Sequence, residues 1–280
     1  MTENDIRAAV ESNVTAALAE DLGPGDLTAS LIPPGRRATA RLITREAAIL
    51  CGVPWFEACF RRLDPEVTFR WQAAEGEEVA AGALLCEIGG QARALLSAER
   101  PALNFLQTLS GVATITRRYV QAVAGTQARI MDTRKTLPGL RIAEKYAVRV
   151  GGGTNQRMGL FDGILIKENH IMVAGGIAQA MEAARRRAPP GVSIQIEVEN
   201  LAQVEEALAA GAELVLLDNF SLEALREAVR LTAGRAKLEA SGGITLENVR
   251  AVAEAGVDRI SVGSLTKHVR AVDLSLRIQV

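Results

Sequence analysis

The residues of this 280-residue chain that most suggest chemistry are charged side chains at the ends of short apolar runs. Arg134 and Lys135 follow ARIMD, Lys167 ends GILIK, Glu197 lies in SIQIEVE and Asp218 ends ELVLLD. Arginine suits bidentate recognition of carboxylates, and lysine supplies a compact charge. Carboxylates could bind Mg²⁺, sugar hydroxyls or a developing positive charge. Surface ion pairs and helix caps are the alternative roles.

Four basic residues, Arg134, Lys135, Arg157 and Lys167, fall in one stretch of the chain. If their side chains face the same end of a sheet, their positive charges repel each other unless an anion binds between them. Residues 129–170 hold eight Lys or Arg and four Asp or Glu, although the whole chain has a net charge of −1. The pattern predicts a site for a small anionic substrate; solvated surface cations are the alternative.

Two glycine-containing turns follow the last two apolar runs, Ser241-Gly242-Gly243 and Val262-Gly263-Ser264. Glycine lets backbone N–H groups approach an anion closely, and a following helix N-terminus favours negative charge. Loops after the last strands of α/β barrels often hold phosphate. The two turns therefore predict a phosphate site, with ordinary tight turns as the alternative.

The elements that position these residues alternate in type after residue 125. Strands are predicted at 128–132, 163–167, 193–199, 213–218, 237–241 and 258–263, and helices at 140–150, 175–188, 201–210, 221–233 and 246–255. Such alternation indicates βα units around a parallel sheet. The short spacing of these units favours a compact α/β barrel over an open dinucleotide-binding sheet. The absence of a GxGxxG motif after the first strand is a second argument against the open sheet.

The first part of the chain has a different pattern. Apolar residues four apart predict a helix over 3–20, and residues 37–51 are typical of one or two strands. Three short runs between 63 and 99 (VTFRW, ALLCEI and ARAL) predict antiparallel strands. A helix is expected from about Ser97 to Ala124, with Pro101 in its first turn and a break near Gly111.

Composition excludes several classes of function. The 32 basic and 33 acidic residues argue against a broad nucleic-acid or membrane surface, and two histidines cannot form a multi-histidine zinc site. His170 is either a base or a structural residue, and His268 is expected to be structural. Three cysteines without a CxxC pattern are expected to be reduced thiols of a cytosolic protein, and no secretion signal or membrane span is expected.

Several segments resemble the quinolinate phosphoribosyltransferase family. The segments in the second part of the chain are DTRKTLPGLR, KYAVRVGGGTNQR, LIKENH, EVEN, DNF, EASGGI and SVGSLT, and those in the first part are EDLGPGDLT and ERPALNFLQTLSG. The resemblance implies that quinolinate reacts with phosphoribosyl pyrophosphate and Mg²⁺. The products would be nicotinate mononucleotide, pyrophosphate and CO₂, on the de novo route to NAD.

The resemblance also implies an architecture. The fold class is α/β, an incomplete α/β barrel plus an α/β sandwich built from the N-terminal part and the C-terminal tail. The expected domains are 1–110 (sandwich), 111–266 (barrel) and 267–280 (a tail returning to the N-terminal domain). A cytoplasmic homodimer is implied, in which Arg100 of one subunit enters the partner's site.

The resemblance assigns roles to the polar residues found above. Arg100, Arg134, Arg157 and Lys167 would bind quinolinate, and Lys135 would lie between the two substrates. Glu197 and Asp218 would hold the ribose hydroxyls and Mg²⁺, directly or indirectly, and with Lys135 they form the expected catalytic set. The 5′-phosphate would bind the turns formed by Ser241, Gly242, Gly243, Val262, Gly263 and Ser264.

One position departs from the family pattern. The segment at 155–157 usually has histidine in the middle, whereas this chain has Gln156. Glutamine donates and accepts hydrogen bonds but carries no charge, which puts in doubt any role for a protonated side chain there. Gln156 is still expected to line the quinolinate pocket.

Three other functions remain open from the sequence. One is a related phosphoribosyltransferase associated with molybdate-transport genes. The second is a Schiff-base aldolase with Lys167 as the nucleophile. The third is a regulator that binds phosphate or a nucleotide without catalysis.

Overall fold

The computed structural model describes residues 1–279, so Val280, the last residue of the predicted tail, lies outside the described residues. The helices are α1 (Glu3–Leu22), α2 (Val53–Leu63), α3 (Ala92–Ala122), α4 (Arg141–Val150), α5 (Glu168–Ala174), α6 (Ile177–Arg187), α7 (Leu201–Ala209), α8 (Leu222–Thr232), α9 (Val249–Glu254) and α10 (Ser264–Lys267). The strands are β1 (Arg37–Thr44), β2 (Ala48–Ile49), β3 (Thr68–Trp71), β4 (Glu78–Val79), β5 (Leu84–Gln91), β6 (Arg129–Met131), β7 (Gly163–Ile166), β8 (Ser193–Val198), β9 (Leu214–Asp218), β10 (Lys237–Ser241), β11 (Arg259–Ser261) and β12 (Leu274–Gln279).

The chain divides into two units. The first comprises Met1–Arg117, Thr136–Gly152 and Leu265–Val280, and the second comprises Arg118–Lys135 and Gly153–Ser264. The domain boundaries expected from the sequence stay a prediction.

The first unit contains an antiparallel sheet with the strand order β12-β1-β5-β3. Alternate residues of β1 are buried, as expected for a sheet with one covered face. Aromatic rings of α2 fill that core: Phe56 and Phe60 both contact Phe69, and Phe56 also contacts Trp71. Strand β12, near the C-terminus, completes the sheet beside β1, so the predicted sandwich fold is confirmed.

Helix α3 differs from its prediction in three ways. It begins at Ala92 rather than at Ser97, so the run ARAL is helical and not a strand, and Pro101 lies inside the helix. Burial of Leu95, Ala98 and Leu106 explains why packing outweighs the lost backbone hydrogen bond. The helix also continues through Gly111.

Gly111 serves close packing rather than a helix break. A Cβ atom at this position would collide with the backbone carbonyl of Arg270, which belongs to the same unit. A larger residue would separate α3 from the segment that leads into β12, so the glycine is required by this backbone approach.

Three helices were not predicted, α2, α5 and α10, and the last of these has only four residues. Helix α2 has a proline in its first turn and buries Trp55, Phe56, Cys59 and Phe60 at helical spacing, a signal that was present in the sequence. Helix α5 is a seven-residue helix with no buried residue, so it has no apolar stripe to reveal it.

The second unit contains a parallel sheet with the order β6-β11-β10-β9-β8-β7. Between its outer strands runs the segment at 154–157, which makes one parallel bridge from Thr154 to Met131 of β6. At its other end, Arg157 Nη1 donates to the Gly163 carbonyl at the start of β7, at 2.8 Å. The barrel is therefore incomplete, because an irregular segment stands where a full strand would close it. The predicted fold class is confirmed.

Among residues 1–279, no helix has both the length and the apolar character needed to cross a membrane.

Candidate active site

Lys167 and Glu197 form an ion pair at the carboxyl ends of two neighbouring strands. The register of β7 and β8 pairs Ile166 with Ile196, so the next residue of each strand lies at the same height. Lys167 Nζ donates to both carboxylate oxygens of Glu197, at 2.9 and 2.7 Å. The Glu197 side chain is only 11% exposed, whereas that of Lys167 is 44% exposed. The structure thus brings together two predicted site residues.

Hydrogen bonds decide between the alternatives for two strand-end residues. His170 Nδ1 accepts the backbone N–H of Lys167 at 3.0 Å, which caps the start of α5 and favours a structural role. A Schiff-base lysine must reach a substrate carbonyl, whereas Lys167 Nζ is held by both carboxylate oxygens of Glu197. This contact argues against the aldolase.

Asp218 and Ser241 also lie side by side, because the β9–β10 register pairs them directly. The next residue, Asn219, has a φ of 58°, and its N–H donates to the Ser241 carbonyl at 2.9 Å. Its side-chain Nδ2 donates to Asp218 Oδ2 at 2.9 Å. Through these two hydrogen bonds Asn219 connects the carboxyl ends of β9 and β10, a role that sequence reasoning did not assign. Asparagine tolerates the left-handed conformation better than most residues.

The first glycine turn packs directly against Asn219. Gly242 has a φ of +94°, and a Cβ there would overlap the Asn219 side chain. Gly243 has a φ of +59°, but a Cβ there would meet no atom within 4 Å. Both positions therefore favour glycine through their positive φ, but only at Gly242 does a close contact also exclude a side chain.

The second glycine turn lies beside Lys135. Val262 donates its N–H to the Met131 carbonyl at 2.9 Å, which ties the turn to β6. A Cβ at Gly263 would lie 3.1 Å from Lys135 Cδ and 3.9 Å from Lys135 Nζ. The Lys135 ammonium is thus adjacent to the turn that follows β11, and Ser264 comes next in the chain.

The pKa of the Arg157 guanidinium is shifted by burial and by a second cation. Burial, and then the positive charge of Arg134, lower the pKa of the Arg157 guanidinium, whereas Asp162 opposes the shift. A guanidinium whose charge is disfavoured in this way can be stabilised by a bound anion. The clustering of all four cations around one ligand stays a prediction.

Gln156 points into the interior of the unit. Its backbone N–H donates to Asp132 Oδ1 at 2.8 Å, and Asn155 Nδ2 donates to the other oxygen of Asp132 at 2.6 Å. Its side-chain amide donates to Glu239, a residue that sequence reasoning missed. The missed signal was the two-residue period of β10, in which Glu239 and Ser241 share one face.

Arg100 belongs to the first unit, where it is an exposed residue of α3. Burial raises the pKa of its neighbour Glu99, and the charge of Arg100 opposes that shift. The structure of the first unit therefore leaves the Arg100 side chain accessible.

The three cysteines have the features of structural residues. Cys51, Cys59 and Cys86 are free and buried. Burial raises the pKa of Cys59 and of Cys86 to about 12, and it raises that of Cys51 strongly as well. Such thiols are poor nucleophiles, because the thiolate is the reactive form.

Comparison with known proteins gives matches over nearly the whole chain. Residues 112–277 match the model for the quinolinate phosphoribosyl transferase C-terminal domain, and residues 26–110 match the model for the N-terminal domain.

Among curated relatives, a probable carboxylating nicotinate-nucleotide pyrophosphorylase of Bacillus subtilis is 43% identical and covers 92% of this chain and 90% of that protein. The carboxylating nicotinate-nucleotide pyrophosphorylase of Mycobacterium leprae is 41% identical, with 96% of each chain covered. The solved nicotinate-nucleotide pyrophosphorylase of Francisella tularensis is 45% identical, with a TM-score of 0.94 over 100% of this chain and 98% of that one.

Proposed function

Because this chain belongs to the quinolinate phosphoribosyl transferase family, we propose that it transfers the phosphoribosyl group of phosphoribosyl pyrophosphate to quinolinate. The 2-carboxylate is lost as CO₂, and the other products are nicotinate mononucleotide and pyrophosphate. The enzyme is a pentosyltransferase of NAD biosynthesis. The observation that carries this proposal is the Lys167–Glu197 ion pair at the carboxyl ends of β7 and β8, beside strand β9, which ends in Asp218.

Quinolinate carries two carboxylates, which fit a pocket lined by several cations. Arg134 and Arg157 are suited to bidentate contacts, and Lys167 supplies a third positive charge. Arg100 completes the set as a residue of the partner subunit. Gln156 stays a proposed pocket residue, and its donor atoms already contact Glu239 and Gln195.

Phosphoribosyl pyrophosphate is proposed to bind along the neighbouring strand ends. Its 5′-phosphate lies at the two turns Ser241–Gly243 and Val262–Ser264, and Lys135 lies beside the second of these. The ribose hydroxyls face Glu197 and Asp218, on the adjacent parallel strands β8 and β9. In this proposal both substrates bind at one end of the sheet.

The donor set also fits Mg²⁺ as the cofactor. Within residues 1–279, no group of three or more His, Cys, Asp or Glu could hold a metal. In the proposal the chain contributes two carboxylates, those of Glu197 and Asp218. Mg²⁺ is commonly held by one or two carboxylates together with substrate phosphates and water. When bound, it neutralises charge on the departing pyrophosphate.

The chain itself works by positioning and electrostatics. The cations orient quinolinate so that its ring nitrogen faces the ribose C1, and the carboxylates of Glu197 and Asp218 stabilise positive charge that develops on the ribose as pyrophosphate leaves. The pyridinium nitrogen then stabilises the electron pair left when the 2-carboxylate departs, and a proton replaces that carboxylate. The buried thiols and the capping role of His170 agree with a reaction that needs no nucleophilic side chain.

A homodimer is part of the proposal. Each unit exposes large apolar side chains: Leu27 and Leu31 in the first unit, and Leu160, Phe161, Met172 and Val173 in the second. Exposed apolar surface supports burial in an interface. The reduced, buried cysteines support the further proposal that the enzyme is cytoplasmic.

The test of the proposed reaction is product stoichiometry. With quinolinate, phosphoribosyl pyrophosphate and Mg²⁺, we expect nicotinate mononucleotide, pyrophosphate and CO₂ in equal amounts. Binding of both substrates without any product would instead favour the non-catalytic regulator. Pyrophosphate release without CO₂ would contradict the decarboxylation.

The two glycines of the first turn give a matched pair of variants. Gly242→Ala should raise the KM for phosphoribosyl pyrophosphate at least about tenfold, because the new Cβ would displace Asn219 and Asp218. Gly243→Ala costs about 1 kcal/mol of backbone strain without a clash, so its effect on this KM should be much smaller. Steady-state kinetics of both variants check the difference, and equal effects would argue against the Asn219 contact.

A further inference from the structure

A buried carboxylate lies on the inner face of the barrel. Glu239 of β10 is 1% exposed. Its Oε1 accepts hydrogen bonds from Gln156 Nε2 at 2.6 Å and from Ser261 Oγ, and its Oε2 accepts one from Gln195 Nε2 at 3.0 Å. Gln156 Nε2 also lies 3.4 Å from Gln195 Oε1. The side chains of 156, 195 and 239 therefore form a closed ring.

Packing alone does not account for this ring. The interior of an α/β barrel is usually filled with bulky apolar side chains. Burying a carboxylate is costly even when it is hydrogen-bonded, and apolar replacements of buried charges are often neutral or stabilising. A buried glutamate with donors on both oxygens thus indicates a role other than core stability.

The position of the ring indicates which role. Side chains two residues apart on a strand share a face. Gln195 precedes Glu197 by two residues, and Glu239 precedes Ser241 by two. The ring thus lies one layer below residues assigned to substrate binding.

Gln156 is fixed at both ends by this arrangement. Its backbone N–H is bound by Asp132, and its side chain is bound by Glu239. Because a carboxylate only accepts, the NH₂ of Gln156 must face it, and the orientation of the amide is determined. Arg157 is the next residue, so the same contacts fix the backbone from which its guanidinium extends.

We infer that Glu239 is a positioning residue for quinolinate: by holding Gln156, it keeps the segment at 155–157, and with it Arg157, in the conformation that binds the dicarboxylate. This inference rests on the proposed function. It assigns Glu239 no contact with either substrate.

The test is the effect of Glu239→Gln on the two KM values. Glu239→Gln keeps the size of the side chain but removes one acceptor, so an amide NH₂ of Gln156 or Gln195 loses its partner. The KM for quinolinate should rise about tenfold or more, as expected for a lost hydrogen bond to a charged group, while that for phosphoribosyl pyrophosphate changes less than about twofold.

A control separates positioning from general destabilisation. Ser110 is a buried residue of the first unit whose Oγ bonds to the backbone of Cys51, at 3.0 and 3.1 Å. Ser110→Ala should lower the melting temperature without changing the KM for quinolinate. If Glu239→Gln behaves in the same way, the residue is merely structural and the inference is wrong.

The remaining outcomes are also decisive. Equal increases in both KM values would overturn the positioning role. Wild-type enzyme in the same assay separates the two claims. If wild type does not convert quinolinate, the proposed function fails. If wild type is active and Glu239→Gln is unchanged, only the positioning role fails.

Discussion

Lys167→Ala and Arg134→Ala are each expected to weaken quinolinate binding by roughly 10- to 150-fold, the effect of losing a hydrogen bond between charged groups. Lys167→Ala should be the more severe, because it also leaves the Glu197 carboxylate, only 11% exposed, without its ion-pair partner. That carboxylate would then repel the dianion. The dissociation constant of quinolinate, measured by calorimetry, checks both variants.

A monocarboxylate supplies the control for this prediction. Nicotinate has the pyridine ring but lacks the 2-carboxylate, so its binding should depend less on a full set of cations. We expect each substitution to weaken nicotinate binding several-fold less than quinolinate binding. Equal losses for the two ligands would contradict the dicarboxylate pocket and would indicate a general structural defect.

At a quinolinate concentration far below the dissociation constant of either variant, mixing two impaired variants is expected to restore about one quarter of wild-type activity if the site is shared across a twofold dimer. Arg100→Ala removes the residue that one subunit gives to its partner, and Lys167→Ala removes a residue of the subunit's own barrel. Random reassortment makes half of the dimers mixed, and each mixed dimer has one intact site. Activity after joint unfolding and refolding measures this directly.

The controls for the mixing experiment are the two variants refolded separately, each of which should keep its own low activity. Mixing Lys167→Ala with Arg134→Ala is a second control, since both residues lie in the same unit. In the mixed dimers of that control, each barrel lacks one of its own cations. The activity of the mixture should therefore not rise above that of the separate variants. Recovery in the control, or none with Arg100→Ala, would contradict a site shared through Arg100.

Much of the barrel could be predicted from the sequence because its signals are local. β-Branched and apolar runs ending in polar residues gave the strands of the parallel sheet to within one or two residues. The pairs that follow from parallel register, Lys167 with Glu197 and Asp218 with Ser241, could be expected once the strands were known. The polar strand ends therefore predict a site from the sequence alone.

The errors have a common physical cause, which is that tertiary packing outweighs local preference. Pro101 suggested a helix start, but buried neighbours on both sides extend α3 back to Ala92. Gly111 suggested a break, whereas it accommodates the backbone of Arg270. Neither contact can be inferred from nearby residues.

The hydrogen-bonding partners of Glu239 could not be predicted from the sequence for a different reason. Its partners Gln156, Gln195 and Ser261 come from three separate segments of the chain, and only the closed barrel brings them together. The two-residue period shows that Glu239 shares a face with Ser241, but not what it binds. Hydrogen-bonding partners in a buried network must be found in the structure.

The most direct test of the account is the ratio of kcat/KM for quinolinate to that for nicotinate, measured on wild-type enzyme with phosphoribosyl pyrophosphate and Mg²⁺. A site built around several cations should prefer the dicarboxylate by at least about 100-fold, since the cations would be left without a partner by the monocarboxylate. Turnover of nicotinate but not of quinolinate would contradict the account.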